Sequence, residues 1–167
     1  AFLLRLVLQP RLWNVEWHNA DAIRQLRVAD LACGTGTLLT AVADAITDNY
    51  VSASADQGQA VDLGQLQNVI AEEVLHGYDV LPSAIHLTAS TLAMRSPDTA
   101  FKKMNLFSLP LGGTSHRLGS IEFLSGKGIP LQLDLFGSTD QITGANTKQH
   151  FMTPLPDLNL CVMNPPF

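Results

Sequence analysis

The stretch that most constrains this chain is Arg27 to Leu39, RVADLACGTGTLL. Arg27 to Leu31 is a short apolar run bounded by glycines downstream, as expected of a strand buried in a parallel sheet. From Thr37 to Ile46, apolar residues at Leu38, Leu39, Ala41, Val42, Ala45 and Ile46 follow helical spacing. The order is therefore strand, glycine-containing turn, helix.

The alternation continues downstream. Residues 47 to 60 (TDNYVSASADQGQA) are small and polar and read as a loop. Asp62 to Glu73 reads as a helix with Leu63, Leu66, Val69 and Ile70 on one face, and Val74 to Asp79 as a strand ending in a carboxylate. Pro82 to Met94 reads as a further helix with Pro82 in its first turn. Met104 to Leu109 is a third strand, Leu131 to Phe136 alternates like an exposed strand, and Leu158 to Met163 is a fourth core strand. This βαβ pattern implies an α/β fold with a doubly wound, mostly parallel sheet, truncated after its fourth core strand. Residues 1–27 form a lead-in segment, with a helix expected from Asp21 to Leu26 capped by Asn19.

A length of 167 residues suits one domain, and 46% hydrophobic against 15% charged residues excludes a disordered or coiled-coil chain. No apolar run approaches the roughly 20 residues of a membrane helix. Cys33 and Cys161 lie far apart, without Cys or His at metal-ligand spacing, which points to a reducing, cytoplasmic setting and no metal. His76, His86, His116 and His150 form no pattern. Ten basic against fifteen acidic residues gives a net charge of −5. The charge that neutralises phosphates in a nucleic-acid complex would then come mostly from outside this segment. The expectation is a part of a longer protein.

The glycine turn excludes two ligand classes. A dinucleotide fingerprint needs a third glycine where Leu39 stands, and a P-loop needs a Gly-Lys-Ser/Thr sequence that is absent. The turn suits a ligand lacking phosphates. Gly34 and Gly36 let backbone approach that ligand closely, Asp30 at the strand end attracts a group such as an amino-acid ammonium, and Asp79 is placed to accept from a ribose diol. An amino-acid end, a ribose and no phosphate point to S-adenosylmethionine. Taken singly, each piece also has a structural reading: a GxG is a tight turn, Asp79 a helix cap, Cys33 a small residue in a crowded turn, Cys161 a buried strand residue. Three motifs in order at three strand ends favour the functional one.

DLACGTGTLL (Asp30 to Leu39), GYDVLPSAIHLTASTLAM (Gly77 to Met94) and LCVMNPPF (Leu160 to Phe167) together resemble the N6-adenine DNA methyltransferases of restriction-modification systems, in the class whose cofactor motif precedes the catalytic one. The resemblance covers roughly Val28 to Met94 and Leu158 to Phe167, with a looser match at HRLGSIEFL (His116 to Leu124). It implies a Rossmann-like class I methyltransferase fold in residues 28–167. The implied S-adenosylmethionine contacts are Asp30, Ala32, Cys33, Gly34, Gly36, Asp79 and Val80, with Gly119, Ser120 and Ile121 near the adenine. The implied catalytic residues are Asn164, Pro165 and Phe167. Adenine N6 is a poor nucleophile because its lone pair is delocalised into the ring. The Asn164 side-chain oxygen and the Pro165 carbonyl would localise that pair by accepting from the two N6 hydrogens, while Pro165 and Pro166 hold the loop rigid. Phe167 would stack on a base rotated out of the duplex.

The implied partner is double-stranded DNA, with a specificity or nuclease subunit or domain and a target recognition domain not present in this chain. Asn-Pro-Pro with an aromatic also occurs in methyltransferases acting on guanine N2 of ribosomal RNA or on a release-factor glutamine amide. A non-catalytic cofactor-binding subunit is the third alternative.

Overall fold

Every residue of Val28–Asp30 (β1) and of Leu75–Asp79 (β2) is buried, the condition that a continuous apolar run imposes on a strand covered on both faces. These strands pair in parallel, Val28 opposite Leu75 and Asp30 opposite Gly77. Asn105–Ser108 (β3) extends the sheet beyond β2, and Leu160–Val162 (β6) pairs in parallel with the other edge of β1. The computed structural model describes residues 2–109, 129–131, 151–153 and 156–164. Within them the sheet order is β3-β2-β1-β6, and Ile129–Leu131 (β4) and Phe151–Thr153 (β5) make a separate antiparallel pair.

This is the expected α/β fold, an all-parallel sheet flanked by helices in a Rossmann-like arrangement. The chain steps outward from β1 to β3 and then returns across β1 to place β6. That reversal makes the carboxyl ends of β1 and β6 a topological switch point, where an open α/β sheet leaves a crevice. Asn159 secures the return: its side-chain oxygen accepts from Arg27 N at 2.7 Å, and its own N–H donates to Arg27 O at 2.9 Å.

The main core lies on one sheet face, under Phe2–Val7 (α1), Ala20–Ile23 (α2), Thr37–Asp56 (α3), Leu63–Val69 (α4) and Pro82–Met94 (α5). Leu39, Val42 and Ile46 of α3, Leu66 of α4 and Ile85 of α5 are each at most 1% exposed. Complete burial of such a side chain contributes about 1.5–3 kcal/mol. The other face carries Ala29, Leu31, Tyr78 and Leu109, with the Tyr78 and Phe107 rings stacked 5.2 Å apart.

Several sequence expectations change here. The loop expected at 47–60 is mostly helix, since α3 runs on to Asp56. Tyr50 and Ser54 continue the buried stripe of Val42 and Ile46 at four-residue spacing, so tertiary burial outweighs the weak helix propensity of Thr, Asp, Asn and Ser. The helix stops at Gly58, whose φ of +64° an L side chain resists. Gly58 N donates to Ala55 O and Gln59 N to Ser54 O, the paired bonds of a Schellman stop. The lead-in helix is shorter than expected, Ala20–Ile23, although Asn19 does cap it by accepting from Asp21 N. Residues 70–74 form a π-helical turn joining α4 to β2. Cys161 is exposed, not buried. The expected strand at Leu131 to Phe136 lies outside the described residues beyond Leu131.

Candidate functional site

The register of the sheet assembles the site. Asp30 stands opposite Gly77 of β2 and Val162 of β6, so Ala32, Asp79 and Asn164 each follow two residues beyond that line, at the carboxyl edge. Asp79 ends β2, whereas Ala32 and Asn164 lie past the ends of β1 and β6, so all three leave the sheet at the same edge. Asp30 and Asp79 are buried, at 1% and 9% exposure, whereas Asn164 is exposed.

The turn from Ala32 to Gly36 is held almost entirely by the protein. Ala32 N donates to Asp30 Oδ1 at 3.0 Å, Cys33 N to Tyr78 O at 2.9 Å, and Gly36 N to Cys33 O at 2.7 Å. Gly34 N donates to Asp79 Oδ2 at 2.9 Å, while Asp79 Oδ1 accepts from Leu81 N at 2.9 Å. Thr35 N is then the turn's one backbone donor without a protein acceptor among the described residues. A phosphate cradle needs several free N–H groups converging on one point; this turn has spent its donors internally.

Gly36 adopts φ +77° and Gly34 φ +55°. A Cβ on Gly36 would also sit 3.0 Å from Thr88 Cγ2 and 3.2 Å from Thr88 Cα. Glycine is therefore required at Gly36 by backbone conformation and by space at once.

Electrostatics divide the site. Burial raises the Asp30 carboxyl to about 6; the Ala32 N–H opposes the shift and the nearby Asp79 charge adds to it. A cation placed against Asp30 would relieve the cost of that buried charge. Each Asp79 oxygen accepts one backbone N–H and keeps a further lone pair, so a diol can still donate to it. Burial pushes the Cys33 thiol up to about 12, which leaves it a protonated, inert packing group. These features fit a cationic, phosphate-free ligand carrying a diol.

Of the residues expected at the site, Asp30, Ala32, Cys33, Gly34, Gly36, Asp79 and Val80 gather at the carboxyl ends of β1 and β2, and Asn164 follows β6. Pro165, Phe167, Gly119, Ser120 and Ile121 lie outside the described residues. Sequence reading overlooked Thr88. It is 0% exposed, and its Oγ1 donates to Gly34 O at 3.0 Å and lies 3.5 Å from Cys33 Sγ. A signal existed: with Ile85, Ala89 and Leu92, Thr88 falls on the buried stripe of α5, where a hydroxyl needs a partner. Among the described residues no group of His, Cys, Asp and Glu could hold a metal, and no helix is long and apolar enough to cross a membrane. No protein-family model and no curated protein matches this chain.

Proposed function

We infer that the chain binds S-adenosylmethionine at the carboxyl edge of its sheet and, as a catalytic core, directs methyl transfer to the N6 amino group of adenine in DNA. The observation that carries this reading is the convergence of Asp30, the clamped turn at Gly34 and Gly36, Asp79 and Asn164 beside one topological switch point.

The donor, when bound, supplies a methyl group made electrophilic by the positive sulfur. The chain's own residues do the rest. Asp30, ionised, attracts the ammonium of the amino-acid end. Asp79 accepts from the ribose hydroxyls with the lone pairs left by Gly34 N and Leu81 N. Ala32, Cys33 and Gly36 present close-fitting backbone, and Val80, directly after β2, supplies apolar contact for the adenine ring. On the acceptor side the Asn164 side-chain oxygen accepts from one N6 hydrogen, concentrating the nitrogen lone pair toward the methyl. By resemblance, the Pro165 carbonyl takes the second hydrogen and Phe167 stacks on the flipped base. Holding nucleophile and methyl in line supplies the remaining rate enhancement; as the N6–methyl bond formed, the methyl–sulfur bond would break to leave a neutral thioether, and the surplus N6 proton would pass to solvent after transfer, so that no general base is required.

The deciding experiment is transfer of labelled methyl from S-adenosylmethionine to duplex DNA by the full-length protein. Label in N6-methyladenine is the expected result. Label confined to guanine, cytosine, ribosomal RNA or a release-factor glutamine overturns the substrate assignment, and absence of transfer with cofactor bound favours a non-catalytic subunit.

A further inference from the structure

Three hydroxyls of α5 illustrate two behaviours. Ser90 and Thr91 bond back to carbonyls of their own helix, His86 O at 3.0 Å and Leu87 O at 2.8 Å, the ordinary local solution for Ser and Thr in a helix. Thr88 reaches across 54 residues to Gly34 O. A hydroxyl has one proton to give, and the 3.0 Å oxygen is its better acceptor than the 3.5 Å sulfur of Cys33. The protonated Cys33 thiol can then donate to the Thr88 oxygen in return.

Gly34 is thereby held at both polar groups, its N–H by Asp79 at the end of β2 and its C=O by Thr88 on α5. The Thr88 methyl lies in the space where a side chain on Gly36 would stand. One residue therefore fixes a glycine carbonyl with its hydroxyl and supports the next glycine with its methyl. Both glycines belong to the segment that meets the methyl donor in the function proposed above.

We propose that Thr88 is a positioning residue for S-adenosylmethionine: its hydroxyl locks the Gly34 peptide so that the turn meets the donor pre-formed. Thr88 touches neither donor nor base. Its effect belongs to donor affinity, because an unlocked turn must be ordered at the moment of binding. The inference rests on the methyltransferase reading and extends it to a residue beyond the expected ligand contacts.

The test compares Thr88→Val, which keeps the shape and removes the hydroxyl, with Thr88→Ser, which keeps the hydroxyl and removes the methyl, both in the full-length protein. Titration with S-adenosylmethionine should show Kd and KM for the donor raised about 10-fold in Thr88→Val, the size of one lost buried hydrogen bond. Its kcat at saturating donor should stay within about 2-fold, and Thr88→Ser should recover most of the affinity. Amide hydrogen exchange at Gly34 without ligand should quicken in Thr88→Val and not in Thr88→Ser. Unchanged affinity in Thr88→Val, or a Thr88→Ser protein as weak as Thr88→Val, overturns the inference while the methyltransferase reading stands. A wild-type protein that takes up no S-adenosylmethionine overturns that reading, and with it the assigned ligand, while the exchange result still judges the clamp.

Discussion

Asp79 and Gly34 lie 45 residues apart in sequence and are joined by a 2.9 Å hydrogen bond from the Gly34 N–H to Asp79 Oδ2. The end of β2 thus builds the turn that follows β1. The second Asp79 oxygen holds Leu81 N, at the start of α5. One carboxylate therefore serves two loops, and any substitution there that tests the proposed ligand contact also tests the fold.

Asp79→Ala leaves both of those N–H groups without their acceptor. The variant should be destabilised by about 2–6 kcal/mol, since each of the two orphaned, part-buried donors costs about 1–3 kcal/mol. Urea denaturation measures it, and donor binding should be lost together with stability. An Asp79→Ala protein of wild-type stability would contradict the two bonds to Gly34 N and Leu81 N.

Asp30 gives a pH dependence of defined sign. Its carboxyl sits near 6 in the fold against 3.8 outside it, so between those values the folded chain keeps a proton that the unfolded chain has released. The contribution of Asp30 to stability is full below 3.8 and is lost as pH rises through about 6. Asp30→Asn retains an oxygen for Ala32 N and removes the buried charge. It should be more stable than wild type at neutral pH by on the order of 3 kcal/mol, with the gain vanishing toward acid. Donor affinity should collapse in the same variant, and in the wild type should weaken below about pH 6, where Asp30 is neutral. Calorimetry across pH checks both.

His76 acts in the opposite direction. Burial, followed by the Arg27 charge, lowers its imidazole to about 4 from an ordinary 6.5. Neither ring nitrogen makes a well-formed hydrogen bond, although the Glu73 carbonyl lies close enough to oppose part of the shift. The unfolded chain takes a proton that the folded chain refuses, so stability is present above 6.5 and is lost as pH falls through about 4. Between about 4 and 6 the Asp30 and His76 contributions slope against each other and offset. Denaturation at several pH values should therefore show stability falling with rising pH in His76→Leu and rising with pH in Asp30→Asn.

The strands and helices were legible wherever local pattern and tertiary burial agree. Pro82 to Met94 is a helix over the expected span because a proline opens it and Ile85, Ala89 and Leu92 repeat on one face. Residues 47–56 were not legible as helix: the stretch is rich in small polar residues, and only Tyr50 and Ser54 extend the buried stripe. Cys161 reads as buried from its apolar neighbours, yet it lies on β6 at the edge of the described sheet. At the site, motif spacing identifies Asp30, Gly34, Gly36 and Asp79. It does not show that Asp79 holds Gly34 or that Thr88 closes the clamp, because those bonds end on backbone atoms, which every sequence carries alike.

Two of the three left-handed glycines, Gly36 and Gly58, separate conformational strain from crowding. Gly58 has φ +64° with open space where a Cβ would stand, whereas Gly36 has φ +77° and its Cβ would meet Thr88 at 3.0–3.2 Å. Gly58→Ala should cost about 1 kcal/mol, the left-handed penalty alone. Gly36→Ala should cost about 2–4 kcal/mol, because the Thr88 backbone atom cannot give way as a side-chain tip would. Only Gly36→Ala should weaken donor binding. Thermal unfolding with and without S-adenosylmethionine distinguishes them, and equal losses of stability in both variants would show that crowding by Thr88 carries no weight.

Asn164 allows the proposed chemistry to be separated from binding and from folding. It is exposed and lies beyond the end of β6, and no protein group among the described residues hydrogen-bonds its side chain, so truncation orphans nothing inside the fold. Asn164→Ala should therefore unfold like the wild type, with less than about 0.5 kcal/mol of change. The donor contacts assigned to Asp30, Asp79 and the glycine turn are untouched, so S-adenosylmethionine should bind with unaltered Kd. The acceptor for an N6 hydrogen is gone, and kcat should fall on the order of 100- to 1,000-fold, as when one pre-oriented polar contact to developing charge is removed. Asn164→Asp tests the same point by charge: it keeps an acceptor oxygen and should retain more turnover than Asn164→Ala. Rapid-quench measurement of the methyl-transfer step isolates chemistry from product release. Full turnover in Asn164→Ala with DNA as substrate would remove Asn164 from the mechanism and, with it, the strongest link between this sheet edge and amino-group methylation.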